Sequence, residues 1–149
     1  MRTQLTNFAG RGGSFFSNQA KCKTVALRQI ALGSQAVFQV AGGCGLGALS
    51  AAKEKKVWGI GVDADQSYLG AHMLTSATKK VDLAVVIMTK RAHLGRLKGG
   101  VDFLFNVKNG GIGFGKVSPK VPNADLATAN AIKKRIAKGQ IKIKETVKF

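Results

Sequence analysis

The chain has 149 residues, 45% of them apolar, and sets 24 basic against seven acidic side chains for a formal net charge of +17. That length suits one domain with a real core, and the apolar share argues against disorder. No apolar run reaches the ~18 residues of a membrane span, and the opening MRTQLTNFAGRGGSFF lacks the apolar stretch of a secretory signal, so the chain as written reads as soluble and unexported.

The charge sits at the ends. Residues 1–39 hold five bases and no acid, and residues 131–149 hold seven bases and one acid. Such a balance suits phosphate neutralisation, but no RNP-like or helix-turn-helix pattern frames the aromatics. The expectation is nonspecific polyanion binding, with a specific nucleic-acid-binding protein as one alternative class. Cys22 and Cys44 have neither metal-ligand spacing nor a CxxC pattern; they read as free thiols, with one disulfide as the alternative.

Residues 1–12 show no periodicity and read as a loose segment. Cys22, Val25, Ala26 and Ile30 mark one face of a helix over residues 18–32, capped by Ser17 or Asn18 and closed by Gly33. AVFQV (36–40) reads as a buried strand. A helix over 46–56 follows, with Leu46 and Leu49 inward and Lys53, Lys55 and Lys56 at its C-terminal end, where cations suit the dipole. VWGIGV (57–62) is a second strand. Alternating helices and strands with short loops predict parallel pairing in a layered α/β sheet. Val81, Ala84, Val85 and Met88 predict a helix over 75–91. VDFLFNV (101–107) reads as a strand before the Asn109–Gly110 turn. Asn123 caps a last helix to Lys138, and QIKIK (140–144) reads as an edge strand defended by lysines.

The glycine cluster AGGCGLGALS is the richest stretch. Gly43, Gly45 and Ala48 satisfy G-x-G-x-x-G/A between a strand and a helix, and Asp63 ends the next strand. That is the context of a Rossmann-like dinucleotide-binding domain, with amides on a pyrophosphate and an acid on the ribose. Two features weaken it. Four glycines this dense fit several templates, and a complete helix precedes the strand. The plain alternative is a tight βα loop.

VFQVAGG-x-GLG, IGVDADQS and TS-x-x-K-x-VD in this order, with GSF, LKGG and NVKNGGIGF, resemble the BMP family. These are the basic membrane protein, or PnrA-like, substrate-binding lipoproteins of ABC transporters that capture purine nucleosides. The resemblance covers residues 13–122, a ligand-binding lobe with crossing segments, and residues 123–149 fit the family's C-terminal helix with a basic tail. It implies the periplasmic binding protein type 1 fold, an α/β three-layer parallel sheet, here mainly one lobe with the first largely missing. It further implies that Asp63 accepts ribose hydroxyls, that Gly43 brings backbone or room to the ligand, that Lys79 donates to ribose oxygens or offsets Asp63, and that Phe15, with Phe16 as understudy, stacks on a purine. Asp65 is expected to bond loop amides. Sugar reading by Asp63 is common to the nucleoside and dinucleotide readings; only the phosphate differs.

The resemblance also implies an ABC permease as partner and the outer (periplasmic) face of the plasma membrane, whereas the chain as written, without signal peptide or lipobox, would stay in the cytoplasm. Cys44 stands where the family usually has threonine, and Cys22 where glycine is common. A single wall of a two-walled cleft predicts weak or no nucleoside binding, exposed apolar surface and self-association. Nothing predicts catalysis, a metal site or a cofactor: His72 and His93 stand alone and are expected at the surface, and Ser50 and Ser76 lack a G-x-S-x-G setting.

Overall fold

The computed structural model describes residues 16–143. The 1–12 segment, Phe15 and Lys144 lie outside them. Helix α1 (Gln19–Ala31) starts where the Asn18 side chain accepts the Lys21 amide at 3.1 Å. Strand β1 (Ala36–Phe38) leads through a 3-10 turn (Gly42–Cys44) into α2 (Gly45–Glu54) and β2 (Trp58–Asp63). A second 3-10 turn (Ser67–Leu69), β3 (Met73–Lys79), α3 (Val81–His93), β4 (Ile112–Phe114) and α4 (Asn123–Ala137) complete the order.

The sheet runs β1-β2-β3-β4. β1 pairs parallel with β2, and β2 parallel with β3, as the alternation of elements predicts. β4 adds an antiparallel edge. Lys80 donates to the Gly111 carbonyl, Gly115 to Ser76 and Ser118 to Leu74, each at 2.8 Å, so partners descend along one strand as they climb the other. The sheet is therefore mixed, with a parallel centre.

The four α-helices among the described residues close alike. The amides of Gly33, Gly95 and Gly139 bond back to Ile30, Ala92 and Ile136, and those of Ser34, Arg96 and Gln140 to Gln29, Arg91 and Arg135. This is the Schellman closure, whose turning residue needs a positive φ. Helix α2 makes the same pair of bonds, Lys56 to Lys53 and Val57 to Ala52, with Lys56 at φ 55°.

The core of the first half is built from small side chains. Cys22 and Ala26 of α1 pack with Val37, Ala41, Cys44, Ala48, Ala51 and Ala52, flanked by Leu27, Ile30 and Val57. The helices come this close because Gly47 faces the backbone carbonyl of Gln19, which any Cβ there would strike. The free-thiol reading of the cysteines is corrected here: Cys22 and Cys44 form a disulfide, their Cα atoms 5.6 Å apart. A separation of 22 residues carries no information about proximity; the small-residue seam between α1 and α2 creates it.

Several expected bounds change. The strand expected over 36–40 stops at Phe38, and it is not buried throughout: Val37 and Gln39 point inward, while Phe38 and Val40 alternate to the exposed face. The helix expected over 75–91 begins only at Val81. Before it, the exposed edge of β2 captures residues 73–78 as a strand, which suits the β-branched Thr75 and Thr78. No strand forms over 101–107. There Asn106 and Asn109 bind the backbone locally: Asn109 Oδ1 accepts the Asn106 amide at 2.8 Å, its Nδ2 donates to the Leu104 carbonyl at 2.7 Å, and Asn106 Oδ1 accepts the Lys108 amide at 2.9 Å. Asn123 is the first residue of α4 rather than its cap, which is Pro122. Residues 140–143 form no strand, because the Schellman closure of α4 takes the Gln140 amide. His72 is half-buried, not a surface residue.

The chain divides into two compact units. Among the described residues, one comprises 16–78 with Phe114–Ser118, the other Lys79–Gly113 with 119–143. In the second, Arg91 stacks over the Phe103 ring at 4.9 Å, and α3 exposes Val81 and Val85. No helix among the described residues is long and apolar enough to cross a membrane.

Candidate functional site

The carboxyl ends of β1 and β2 carry the glycine cluster and Asp63. Neighbouring parallel strands place these two groups at the same edge of the sheet, where α/β folds hold ligands.

Asp63 ends β2 with φ 68°, one of two non-glycine residues in the left-handed region among those described. The Ala64 amide reaches back to the Val62 carbonyl at 2.9 Å, a bond two residues long that closes a γ-turn with Asp63 at its centre. This form of γ-turn is rare and strained. Backbone held in such a region costs on the order of 1–3 kcal/mol and tends to be kept where a side chain has a task. The Asp63 side chain is exposed.

Asp65, two residues on, has a structural place. Its Oδ1 accepts the Ser67 amide at 3.1 Å, and its Oδ2 accepts the Ser67 hydroxyl and the Lys116 amide, each at 3.2 Å. Slight desolvation favours its neutral form, but the amides of Lys116 and Ser67 and the Ser67 hydroxyl outweigh it and hold the carboxyl below its usual value. Asp65 thus bonds loop amides, as expected from sequence.

The glycines separate into two kinds. Gly42, at φ 55°, and Gly43 are exposed, and a Cβ at Gly43 would find only the Phe16 carbonyl, at 3.6 Å. Gly45 and Gly47 are buried. The Gln39 side chain fills the place where a Gly45 side chain would be, and the Gln19 carbonyl the corresponding place at Gly47. The helix amides are also engaged: Cys44 donates to Phe16 O at 2.8 Å, and Gly45 to Gly42 O. A pyrophosphate needs the middle glycine open and these amides available. Here a glutamine occupies the one and carbonyls the other, so this geometry does not support the dinucleotide reading.

Of the four predicted site residues, the structure sets Gly43 and Asp63 at one sheet edge. Lys79 is exposed at the end of β3, directly after Thr78, the register partner of Asp63. Phe15 lies outside the described residues; its neighbour Phe16 is exposed and offers its carbonyl to the Cys44 amide.

Sequence reasoning missed the polar network behind this edge. Gln39 is 5% exposed, and its Oε1 accepts the Ala41 amide at 3.2 Å. Its Nε2 donates at 3.1 Å to Gln66 Oε1, which also accepts the Val62 amide at 3.0 Å. The Gln66 amide in turn donates to Oγ of the fully buried Ser76 at 3.0 Å. One signal was available: a glutamine inside the apolar run AVFQV is a buried polar group in search of partners. Two further buried atoms, Thr78 Oγ1 and His72 Nε2, have no hydrogen-bond partner among the described residues. Among the described residues no cluster of three His, Cys, Asp or Glu can hold a metal ion.

An α/β unit with a parallel central sheet and an exposed aspartate at its carboxyl edge has the architecture in which such sheets hold ligands. Solved structures agree on the fold. A transcriptional activator of the comK gene from Bacillus halodurans superposes with a TM-score of 0.77 at 24% identity, over 89% of this chain and 47% of that one. An ABC transporter solute-binding protein from Aeropyrum pernix gives 0.74 at 23% identity, over 89% and 46%. The chain belongs to the Bmp family of PnrA-like ABC transporter substrate-binding proteins, whose model matches residues 13–147. It is 37% identical over 118 residues to the ABC transporter nucleoside-binding protein BmpA of Lactococcus lactis, covering 67% of this chain and 34% of that protein. It is 30% identical over 147 residues to a CD4+ T-cell-stimulating antigen of Listeria monocytogenes, covering 87% and 41%. The chain thus spans about two fifths or less of the length of these relatives.

Proposed function

We propose that this chain supplies one nucleoside-contacting wall of an ABC transporter substrate-binding protein, and that its ligand is a purine nucleoside. The observation that carries the reading is Asp63: an exposed carboxylate held in a strained γ-turn at the carboxyl edge of a parallel sheet. A carboxylate there can accept both hydroxyls of a ribose diol in charge-assisted bonds. The exposed Gly43 backbone gives the ligand room on the same edge, while the occupied positions at Gly45 and Cys44 favour a ligand without phosphate. The nucleoside-binding relative in Lactococcus lactis supports the ligand class. Lys79 as a donor to ribose oxygens and Phe15 as a stacking ring complete the proposed set. No catalytic role is proposed; the partner is an ABC permease, and the working location is the outer face of the membrane. A disulfide between Cys22 and Cys44 fits an oxidising compartment of that kind.

The test is a nuclear magnetic resonance titration with inosine, adenosine, 2′-deoxyinosine and NAD. Inosine and adenosine should shift the Gly42, Gly43 and Asp63 amides, with the deoxy compound weaker and NAD no better than inosine. Affinity should be weaker than micromolar, since one wall makes about half the contacts of a closed cleft. Shifts centred on Gly45 and Leu46 that require the NAD pyrophosphate would overturn the reading.

A further inference from the structure

The strained Asp63 turn and the glycine loop lie 20 residues apart in sequence, yet the Gln39–Gln66 bridge joins them inside the fold. Gln66 Oε1 accepts two hydrogen bonds at once, one from the Val62 amide that opens the γ-turn and one from Gln39 Nε2. Gln39 Oε1 passes the connection to the Ala41 amide, one residue before Gly42. The Gln66 backbone is itself pinned to Ser76 of β3. These four hydrogen bonds lie between 3.0 and 3.2 Å, and Gln39 and Ser76 are buried, so water competes poorly for their partners. Space is reserved for both amide side chains: a Cβ at Gly45 would strike the Gln39 amide, and one at Gly61 would crowd the Gln66 side chain.

We propose that Gln66 is a positioning residue that holds the Asp63 carboxylate in its left-handed turn and couples it to the Gly42–Gly43 loop, so that the two ligand-facing elements move as one. The proposal rests on the nucleoside reading above for its consequence in binding, but the coupling itself can be read without ligand. Gln66 touches no ligand in this scheme. A glutamate could stand in for it, because both bonds fall on an acceptor oxygen; a leucine could not.

The experiment uses the full chain and the variants Gln66→Leu, Gln66→Glu and Asp63→Asn, alone and combined. Without ligand, Gln66→Leu should speed hydrogen exchange at Val62 and also at Ala41, which it reaches only through Gln39. Gln66→Glu should restore protection at both. Unchanged exchange at Ala41 in a folded Gln66→Leu protein would overturn the coupling. With inosine, Gln66→Leu should weaken binding about fivefold or more, the lower end of an ordinary coupling between sites. It should cause no further loss in the Asp63→Asn background. An equal loss in that background would mean that Gln66 acts on the fold at large, and the proposal would fail. If Asp63→Asn leaves inosine binding untouched, the sugar-reading role is what fails, while exchange at Val62 and Ala41 still judges the bridge.

Discussion

A single backbone angle separates two demands at Asp63. At φ 68° a glycine would sit without penalty, whereas aspartate pays in strain. Asp63→Gly should therefore raise the unfolding free energy by about 1 kcal/mol, the strain released less the added chain entropy. It should also abolish inosine-dependent shifts. Thermal melting and titration of one variant check both halves, and a destabilised Asp63→Gly protein would contradict the strained turn. His72 makes a second prediction. Desolvation, then the nearby Lys53 charge, hold its pKa below the ordinary 6.5. The fold thus binds fewer protons here than the unfolded chain, so this contribution is complete above pH 6.5 and is lost as pH falls from there through the folded value. The melting temperature should drop on acidification below that point, and less steeply in His72→Gln. The place of Asp63 at the end of β2 was legible in sequence, since an acid ending an apolar run is a local pattern. Gln66 was not: its partner Gln39 lies 27 residues away, and nothing local announces a bond across that distance.

At the scale of elements, helix ends and strands were read with unequal success for one reason. Closures are local, so Gly33 and Gly139 announced themselves. Strand β3 depends on a neighbour, so Thr75–Thr78 looked helical until β2 offered a ladder. Residues 101–107 failed the opposite way: they alternate like a strand, but two asparagines satisfy their backbone first. Helix α2 closes on Lys56 at φ 55° where its three companions use glycine. Lys56→Gly should stabilise the chain by about 0.5–1 kcal/mol, measured by denaturant midpoint at constant m-value. The disulfide between α1 and α2 closes a loop of 22 residues. Chain-entropy arguments value such a cross-link at about 3 kcal/mol, so Cys22→Ser with Cys44→Ser should lower stability by that order, with the far-ultraviolet spectrum unchanged.

For the whole molecule, charge and apolar surface pull against each other. A net +17 repels like copies, while Val81 and Val85 on α3 and Leu94, Leu97, Val101 and Leu104 beyond it stay exposed. Self-association should therefore grow as salt screens the charge, and sedimentation at low and high ionic strength would show it. A monomer at every salt concentration would refute the expectation. The α/β class and family were readable from ordered motifs; the division after Thr78 was not, because it falls inside β3, where the residue pattern shows no break. The Cys22–Cys44 bond also bears on how the protein is made in the laboratory. A reducing bacterial cytoplasm would yield it without the cross-link, and two batches of identical mass to within two hydrogens would melt at different temperatures and exchange amides at different rates around the glycine loop. Export to an oxidising compartment, or an oxidation step before purification, decides which of the two molecules is being assayed.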